Sequence, residues 1–181
     1  QKMEQMNQAY KVFTRICLNN WHYIDRKVLG LNESINFFTG HSGSGKSTVI
    51  DAMQIVLYAN TDGRGFFNKA AADDSDRSLI EYLRGMINIG ENNQAEYKRN
   101  KNFSTTIVLE MEQTITKEKE CIGVVFDVET ATNEINRLFF WHKGELIPGD
   151  YRTESRAMTI SEVRSYLQQN FPKDEMFYTS N

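Results

Sequence analysis

The sequence predicts an α/β fold in which a glycine-rich loop joins a short strand to a helix, and an antiparallel β-meander follows with few further helices. Residues 40–48 fit the pattern GxxxxGK[ST] at every fixed position and have an apolar segment on each side. From residue 103 onward, apolar and β-branched residues alternate with polar ones in several runs separated by turn residues. The first observation predicts a phosphate-binding core, and the second predicts the meander.

The segment 40–48 is predicted to be a P-loop because it lies between a predicted strand at 34–39 and a predicted helix. Its glycines let the main chain curl so that N–H groups converge on phosphates, and the positive end of the helix dipole adds to them. Lys46 is the candidate catalytic residue, since its charge would bridge the β- and γ-phosphates, and the Ser47 hydroxyl is the candidate Mg²⁺ ligand. The candidate nucleotide-binding residues are Gly40, His41, Ser42, Gly43, Ser44, Gly45, Lys46, Ser47 and Thr48. The alternative, a glycine-rich turn capped by serine and threonine, leaves the flanking strand and helix unexplained.

The composition is that of an ordinary soluble protein and excludes several other classes. With 181 residues, 40% of them hydrophobic, the chain is long enough for one core and a small subdomain. The net charge of −3 offers no global attraction to DNA, so any DNA contact has to come from a local patch or another part of an assembly.

Cys17 and Cys121 are isolated and the three histidines form no ligand cluster, which favours a reducing cytoplasm. No apolar run reaches the length of a membrane span and the first residues lack a signal-peptide core, so no membrane partner is expected.

Before the P-loop, residues 12–18 and 28–31 have the β-rich composition of strands, and residues 19–23 between them are predicted to form a turn. Trp21 and Tyr23 in that turn are interpreted as core or hinge aromatics in preference to side chains that stack on a base.

After the P-loop, residues 49–58 are apolar on most faces, which predicts a helix enclosed between a sheet and other elements. A break at 60–65 and an aromatic-basic loop at 66–71 follow. Residues 78–89 are predicted to form a second helix, with three aspartates near its positive end. The apolar side of that helix is assigned to Leu79, Leu83, Met86 and Ile87. Arg77 and Arg84 are interpreted as solvated or salt-bridged side chains and not as phosphate contacts.

The polar segment 90–102 is predicted to be a loop, and its three neighbouring positive charges favour a solvated hairpin entry over a contact with a phosphate backbone. The meander that follows is predicted to be appended to the nucleotide-binding core. Its strands are predicted at 103–111, 122–128 and 135–142, with a short returning strand at 145–147.

The end of the chain carries a helix-start pattern, because Thr159 and Glu162 fit a capping box ahead of an apolar stripe. The predicted organisation is therefore a frayed N-terminus at 1–9 and a single lobe at 10–178, divided into a core at 10–90, a meander subdomain at 103–150 and a capped helix at 159–170.

One segment of the meander, residues 123–129, resembles a Walker B strand, in which an apolar run ends in acids that hold Mg²⁺ and the attacking water. Val128 separates the two acids, Asp127 and Glu129, and the strand belongs to a series of hairpins. We therefore interpret both acids as structural.

The order of these elements resembles the N-terminal lobe of an SMC-type ABC ATPase head. The similarity covers about residues 10–178 in order of elements, although only the P-loop is a sharp motif. Within that superfamily, Asn20-Trp21, the stretch Phe67-Asn68-Lys69-Ala70-Ala71 and the stretch Tyr82-Leu83-Arg84-Gly85 are most similar to the MukB-like ATPases, particularly the JetC subunit of Wadjet anti-plasmid systems.

The resemblance implies an ATPase whose head is split in sequence. In such families a coiled coil and then a C-terminal lobe follow, and the second lobe brings the signature motif, Walker B and a switch histidine. The implied cofactors are ATP and Mg²⁺, and the implied partners are a second ATPase head, kleisin-type and accessory subunits, and DNA. The implied location is the nucleoid in the cytoplasm, and the implied role is DNA loop movement or entrapment.

This lobe alone is expected to be inactive. The Q-loop glutamine of the family is expected near 177–181, where no glutamine occurs.

Three other functions remain open at this point. A DNA-repair ABC ATPase of the SbcC or RecF type would share the same first lobe. A self-contained P-loop kinase or GTPase would continue with alternating strands and helices, which the predicted meander does not match, and no guanine-specific NKxD motif is present. The last alternative is a P-loop domain that binds nucleotide only as a structural switch.

Overall fold

A six-stranded antiparallel sheet forms the centre of the protein. The computed structural model describes residues 10–31, 43–59 and 79–180, with the main chain alone at 43–47, 58–59 and 180. The elements are β1 Lys11–Trp21, β2 Ile24–Gly30, α1 Gly43–Ala59, β3 Met86–Ile89, β4 Ala95–Tyr97, β5 Phe103–Gln113, β6 Lys119–Glu129, β7 Glu134–Lys143, a 3₁₀ turn Pro148–Tyr151, α2 Ile160–Asn170 and β8 Met176–Ser180. Residues 79–84 are also helical. The sheet order is β2-β1-β5-β6-β7-β8, and β3 pairs with β4 in a separate hairpin.

The two faces of the large sheet support two hydrophobic cores. On one face, α1 and the helical residues 79–84 cover apolar side chains of β1, β5 and β6. On the other face, α2 and the 3₁₀ turn cover side chains of β1, β5, β6 and β7. Strand β5 is buried over most of its length because both of its faces are covered, as expected of a central strand.

The meander is continuous with the first two strands in one sheet, whereas the sequence pattern predicts that it is appended to the nucleotide-binding core. Strand β1 lies between β2 and β5, with Ile16 opposite Leu29 on one side and opposite Leu109 on the other. The pairing of β1 with β5 joins segments about ninety residues apart, so local sequence patterns cannot reveal it. The mostly antiparallel sheet with few helices, together with the P-loop pattern, fits the predicted α/β class.

The predicted helix at 78–89 is wrong in its second half, because the helix ends at Arg84 and residues 86–89 form β3. Gly85 has a φ of +67°, a left-handed conformation in which glycine is the least strained residue. A Cβ atom added there would lie 2.6 Å from the carbonyl oxygen of His22. A helix-ending glycine followed by β-branched Ile87 and Ile89 is the pattern that the helical interpretation overlooked.

Other boundaries also differ from the predictions. Strand β1 continues to Trp21, so that only His22 and Tyr23 form the turn, and residues 145–147 are not a strand. Residues 95–97, predicted as loop, pair with β3. The capping box is confirmed: the Thr159 side chain accepts a hydrogen bond from the Glu162 N–H, and the Glu162 carboxylate accepts one from the Thr159 N–H.

Several predicted features lie outside the described residues, namely the frayed segment 1–9, the strand at 34–39, the loop at 66–71 and Arg77. In the described ranges, none of the helices combines the length and apolarity needed to cross a membrane. The same ranges contain no group of three or more histidine, cysteine or acidic side chains placed to hold a metal ion.

Candidate nucleotide-binding site

The P-loop pattern ends inside helix α1. Residues Gly43 to Thr48 form the first turns of this helix, which begins six residues earlier than the predicted start at Val49. Gly40, His41 and Ser42 lie outside the described residues, and so do the side chains of Ser44, Lys46 and Ser47. The assignment of Lys46 and Ser47 to the phosphates and Mg²⁺ therefore stays a prediction from the sequence.

The beginning of α1 suits an anion. The first N–H groups of a helix have no partners within the helix, and the helix dipole is positive at this end. The first turn of α1 carries no acidic residue, so no side chain on it competes with a bound phosphate. These properties, together with the glycines and the lysine of the pattern, fit a nucleotide polyphosphate.

Apolar packing holds α1 on the sheet. Val49, Ala52 and Val56 are almost completely buried in the same core as Ile107 and Val124. Positions 49, 52 and 56 follow the helical spacing and therefore lie on one side of α1. This side faces the sheet, which seats the helix that begins with the P-loop residues.

Trp21 contacts α1 directly. Its ring is fully buried, and its Nε1–H donates a hydrogen bond of 2.8 Å to the main-chain carbonyl of Thr48. Thr48 directly follows Ser47, which occupies the last position of the P-loop pattern. The structure therefore confirms the interpretation of Trp21 as a core aromatic, since a fully buried ring has no free face on which a base could stack. Tyr23, in contrast, is half exposed, and its hydroxyl donates to the Met86 carbonyl.

A second contact with α1 comes from the helical residues 79–84. The Tyr82 hydroxyl donates a hydrogen bond of 2.7 Å to Oδ2 of Asp51, one turn beyond Thr48. The rings of Tyr82 and Trp21 stack with centroids 5.1 Å apart and planes inclined by 7°. The hydrogen bond to Asp51 raises the pKa of Tyr82 to about 12, with burial and the carboxylate charge acting in the same direction. Tyr82 therefore remains a neutral donor at physiological pH.

Arg99 joins the elements that carry these two aromatic side chains. Its guanidinium group donates to the main-chain carbonyls of His22, Leu83 and Ile24 at 2.7 to 2.9 Å. Its side chain is only 8% exposed, in contrast to the predicted solvated loop at 90–102. Burial lowers the pKa of Arg99, although the charge of Asp25 opposes this. Arg99 thus fixes the turn after Trp21 against the helix that bears Tyr82.

Arg84 also departs from its interpretation as a solvated or salt-bridged residue. It is 8% exposed, its Nε–H donates to the Arg99 carbonyl, and its Nη1 donates to Oδ1 of Asn133 at 2.8 Å. The guanidinium carbon lies 4.1 Å from the centroid of the Tyr97 ring. Arg84 is therefore a structural residue that ties the end of helix 79–84 to the β3–β4 hairpin.

The Walker B-like acids lie on the other side of the sheet from α1. Oδ1 of Asp127 accepts hydrogen bonds from the Ser104 hydroxyl at 2.7 Å and from the Ile160 N–H at the start of α2 at 3.1 Å. Asp127 and the exposed Glu129 line a polar cleft of about 430 Å³ together with Arg156. These contacts agree with the interpretation of Asp127 as a structural residue.

Replacing Asp127 with asparagine should leave nucleotide affinity nearly unchanged. The free energy of unfolding should fall by about 1 kcal/mol, because the start of α2 loses a charged acceptor. Parallel calorimetric titrations and denaturant melts of the two proteins would measure both quantities. A large loss of nucleotide hydrolysis with binding preserved, in a protein that carries the complete head, would restore the Walker B interpretation.

The segment expected to hold the Q-loop glutamine forms β8, which pairs with β7 through Phe177 opposite Trp141. The Tyr178 hydroxyl on this strand accepts a hydrogen bond from the side-chain amide of Gln168 in α2. These contacts are structural, and they leave the Q-loop residue unassigned.

Comparison with known families supports the P-loop assignment. Residues 13–74 match the family model described as the P-loop containing region of AAA domain. This part of the chain is therefore similar to an AAA-type P-loop region. A search of curated proteins finds no match to the chain. The matched region extends from β1 through α1 and includes the whole pattern at 40–48, so it supports a P-loop NTPase lobe and, in general terms, nucleotide binding.

Asp51 and Arg99 belong to no motif of the sequence, and Tyr82 occurs there only within the stretch Tyr82-Leu83-Arg84-Gly85. Their roles depend on partners 16 to 77 residues away along the chain. Gly85 is a local indication, because it marks the end of the short helix that carries Tyr82.

Proposed function

We propose that this chain is the ATP-binding lobe of a P-loop ATPase. The complete P-loop pattern, which continues into a helix seated on the sheet core, is the observation that carries this proposal. The match of residues 13–74 to an AAA-type P-loop region supports it.

In this proposal the main-chain N–H groups of 43–48 bind the phosphates, and the Lys46 ammonium group neutralises charge on the β- and γ-phosphates. The Ser47 hydroxyl would hold Mg²⁺, a hard cation that takes oxygen ligands. Bound Mg²⁺ would supply neutralisation of the charge that develops on the phosphate oxygens during phosphoryl transfer. The chain's own residues thus bind and orient the nucleotide.

The finer proposal is that the lobe belongs to a split, SMC-like head close to the MukB-like ATPases. The similarity of Asn20-Trp21 and of the two stretches beginning at Phe67 and Tyr82 supports it. In this proposal hydrolysis needs a C-terminal lobe and a second head, and it drives DNA loop movement or entrapment with kleisin-type and accessory subunits in the nucleoid. The roles found for Asp127 and β8 support a catalytic carboxylate supplied from elsewhere.

A DNA-repair ATPase of the SbcC or RecF type is the second candidate, because it would use the same first lobe. A self-contained kinase or GTPase has less support, since the described sheet is antiparallel with only two complete helices. The sequence of the full gene beyond residue 181 and its neighbouring genes would discriminate between plasmid defence, chromosome organisation and repair.

Replacing Ser47 with alanine tests the metal-binding part of the proposal. The variant should bind ATP more weakly than the original chain in the presence of Mg²⁺, and the difference should shrink when Mg²⁺ is chelated, because only the metal contact is lost. Calorimetric titration under both conditions measures this. An equal loss of affinity with and without metal would exclude Ser47 as a ligand.

A further inference from the structure

In the part of the chain that the structure describes, two aromatic side chains that stack on each other donate hydrogen bonds to the start of α1. Trp21 donates to the Thr48 carbonyl and Tyr82 donates to the Asp51 carboxylate. We propose that Trp21 and Tyr82 are positioning residues for the P-loop, which hold the first turns of α1 in the conformation that binds nucleotide. This inference rests on the proposed nucleotide-binding function.

The two hydrogen bonds end on residues next to those that would bind the phosphates. The Thr48 carbonyl follows directly after Lys46 and Ser47, and Asp51 lies one helical turn further along. A hydrogen bond to each of these residues restrains both the axial position and the rotation of the first turns. The N–H groups that would bind phosphate belong to the same turns, and their catalytic use depends on placement within fractions of an ångström.

Hydrogen bonds also hold the two elements that carry Trp21 and Tyr82 against each other. The stacked rings of Trp21 and Tyr82 lie on different elements, and Arg99 joins these elements through the carbonyls of His22, Leu83 and Ile24. The His22 N–H also donates to the Tyr82 carbonyl at 2.7 Å. The main chain beside each aromatic donor is therefore held by hydrogen bonds that do not involve α1.

Tyr82→Phe is the decisive variant, because it removes the hydroxyl and keeps the stacked ring. The molecule offers a matched control in Tyr166→Phe, since Tyr166 also donates to a carboxylate, that of Asp150, at 2.7 Å. Tyr166 lies in α2, in the hydrophobic core of the opposite sheet face. Both variants should lose similar thermal stability, but only Tyr82→Phe should weaken MgATP binding, by about threefold to tenfold, the equivalent of one hydrogen bond.

A double-variant cycle sharpens this comparison. If Tyr82 acts through Asp51, the combination of Tyr82→Phe with Asp51→Asn should weaken MgATP binding by less than the product of the two single effects. Independent, multiplicative effects of the two changes would contradict a positioning role through this hydrogen bond.

Tryptophan fluorescence provides a readout that general stability does not move, because Trp21 and Trp141 are the only tryptophans. Trp141 stacks on Phe177 in β8, at the far edge of the sheet from β1. In the Trp141→Phe protein, MgATP should cause a saturable change in the emission of Trp21. In the Trp21→Phe protein, the emission of Trp141 should stay constant and MgATP should bind about threefold to tenfold more weakly.

The outcomes separate this inference from the proposed function. If the original chain does not bind MgATP, the proposed function fails and the inference fails with it. If the original chain binds MgATP but Tyr82→Phe binds as tightly as Tyr166→Phe, and Trp21 emission does not respond, the nucleotide site stands and the positioning role is overturned.

Discussion

Replacing Lys46 with alanine is expected to weaken MgATP binding by about tenfold to a hundredfold. The ammonium group of this residue is predicted to neutralise charge on the β- and γ-phosphates, and hydrogen bonds to charged groups contribute roughly 1.5–3 kcal/mol. The helix N-terminus and the converging N–H groups remain in the variant, so residual binding should persist. Calorimetric titration of the two proteins with MgATP measures the difference.

Lys173→Ala is the matched control, because Lys173 is an exposed lysine in the turn after α2. It should bind MgATP like the original chain, since screening removes most of the influence of a distant surface charge. If the Lys46→Ala protein binds MgATP as tightly as this control, Lys46 does not contact the phosphates.

Replacing Glu110 with glutamine is expected to lower the free energy of unfolding by about 3 kcal/mol. Glu110 is 1% exposed, and its carboxylate accepts hydrogen bonds of 2.7 Å from the Arg15 Nη2, the Thr14 hydroxyl and the Leu146 N–H. Removing one partner of a buried ion pair typically costs 3–5 kcal/mol. We expect the lower end of this range, because Arg15 is one-third exposed and water can partly replace its lost partner.

This stabilisation by Glu110 should also depend on pH. Burial raises the pKa of Glu110, but the hydrogen bonds from Arg15, Leu146 and Thr14 outweigh it and lower the pKa from 4.5 to about 2. A lowered folded-state pKa contributes stability that is present above the unfolded-state pKa and is lost as the pH falls toward the folded-state value. The difference in unfolding free energy between the original and Glu110→Gln proteins should therefore shrink between about pH 4.5 and about pH 2.

Denaturant melts over this pH range measure the effect, with Glu154→Gln as the control because Glu154 is exposed in the bend before α2. A difference between the original and Glu110→Gln proteins that stays constant with pH would mean that Glu110 does not stabilise the fold through its charge.

Features with a local origin could be predicted from the sequence. The P-loop pattern, the capping box at Thr159 and Glu162, and the strands of the meander each depend on residues that are close together along the chain. The strand predicted at 12–18 lies within β1, and 135–142 lies within β7. The predicted ends of these strands differ from the observed ends, because pairing with neighbouring strands, and not local composition, decides where a strand stops.

Features with a distant origin could not be predicted. The pairing of β1 with both β2 and β5 is set by the packing of the whole sheet. Arg84, Arg99 and Glu110 are charged residues whose types favour the surface. They are buried where they form hydrogen bonds with carbonyls, amides or charged groups elsewhere in the chain. At the candidate site, the same limit applies to Tyr82 and Asp51, which meet only when helix 79–84 packs beside α1.

The turnover of ATP by purified residues 1–181, measured alone and after addition of the proposed C-terminal lobe, tests the account most directly. Phosphoryl transfer needs a carboxylate that orients water and further donors aimed at the γ-phosphate, and we assign to this chain only the phosphate-binding loop, Lys46 and one metal ligand. We therefore expect MgATP binding with almost no turnover by the chain alone, and turnover once the second lobe and a second head are present. Robust turnover by the isolated chain, independent of its concentration and abolished by Lys46→Ala, would mean that a full catalytic set lies within these 181 residues and would contradict the split-head account.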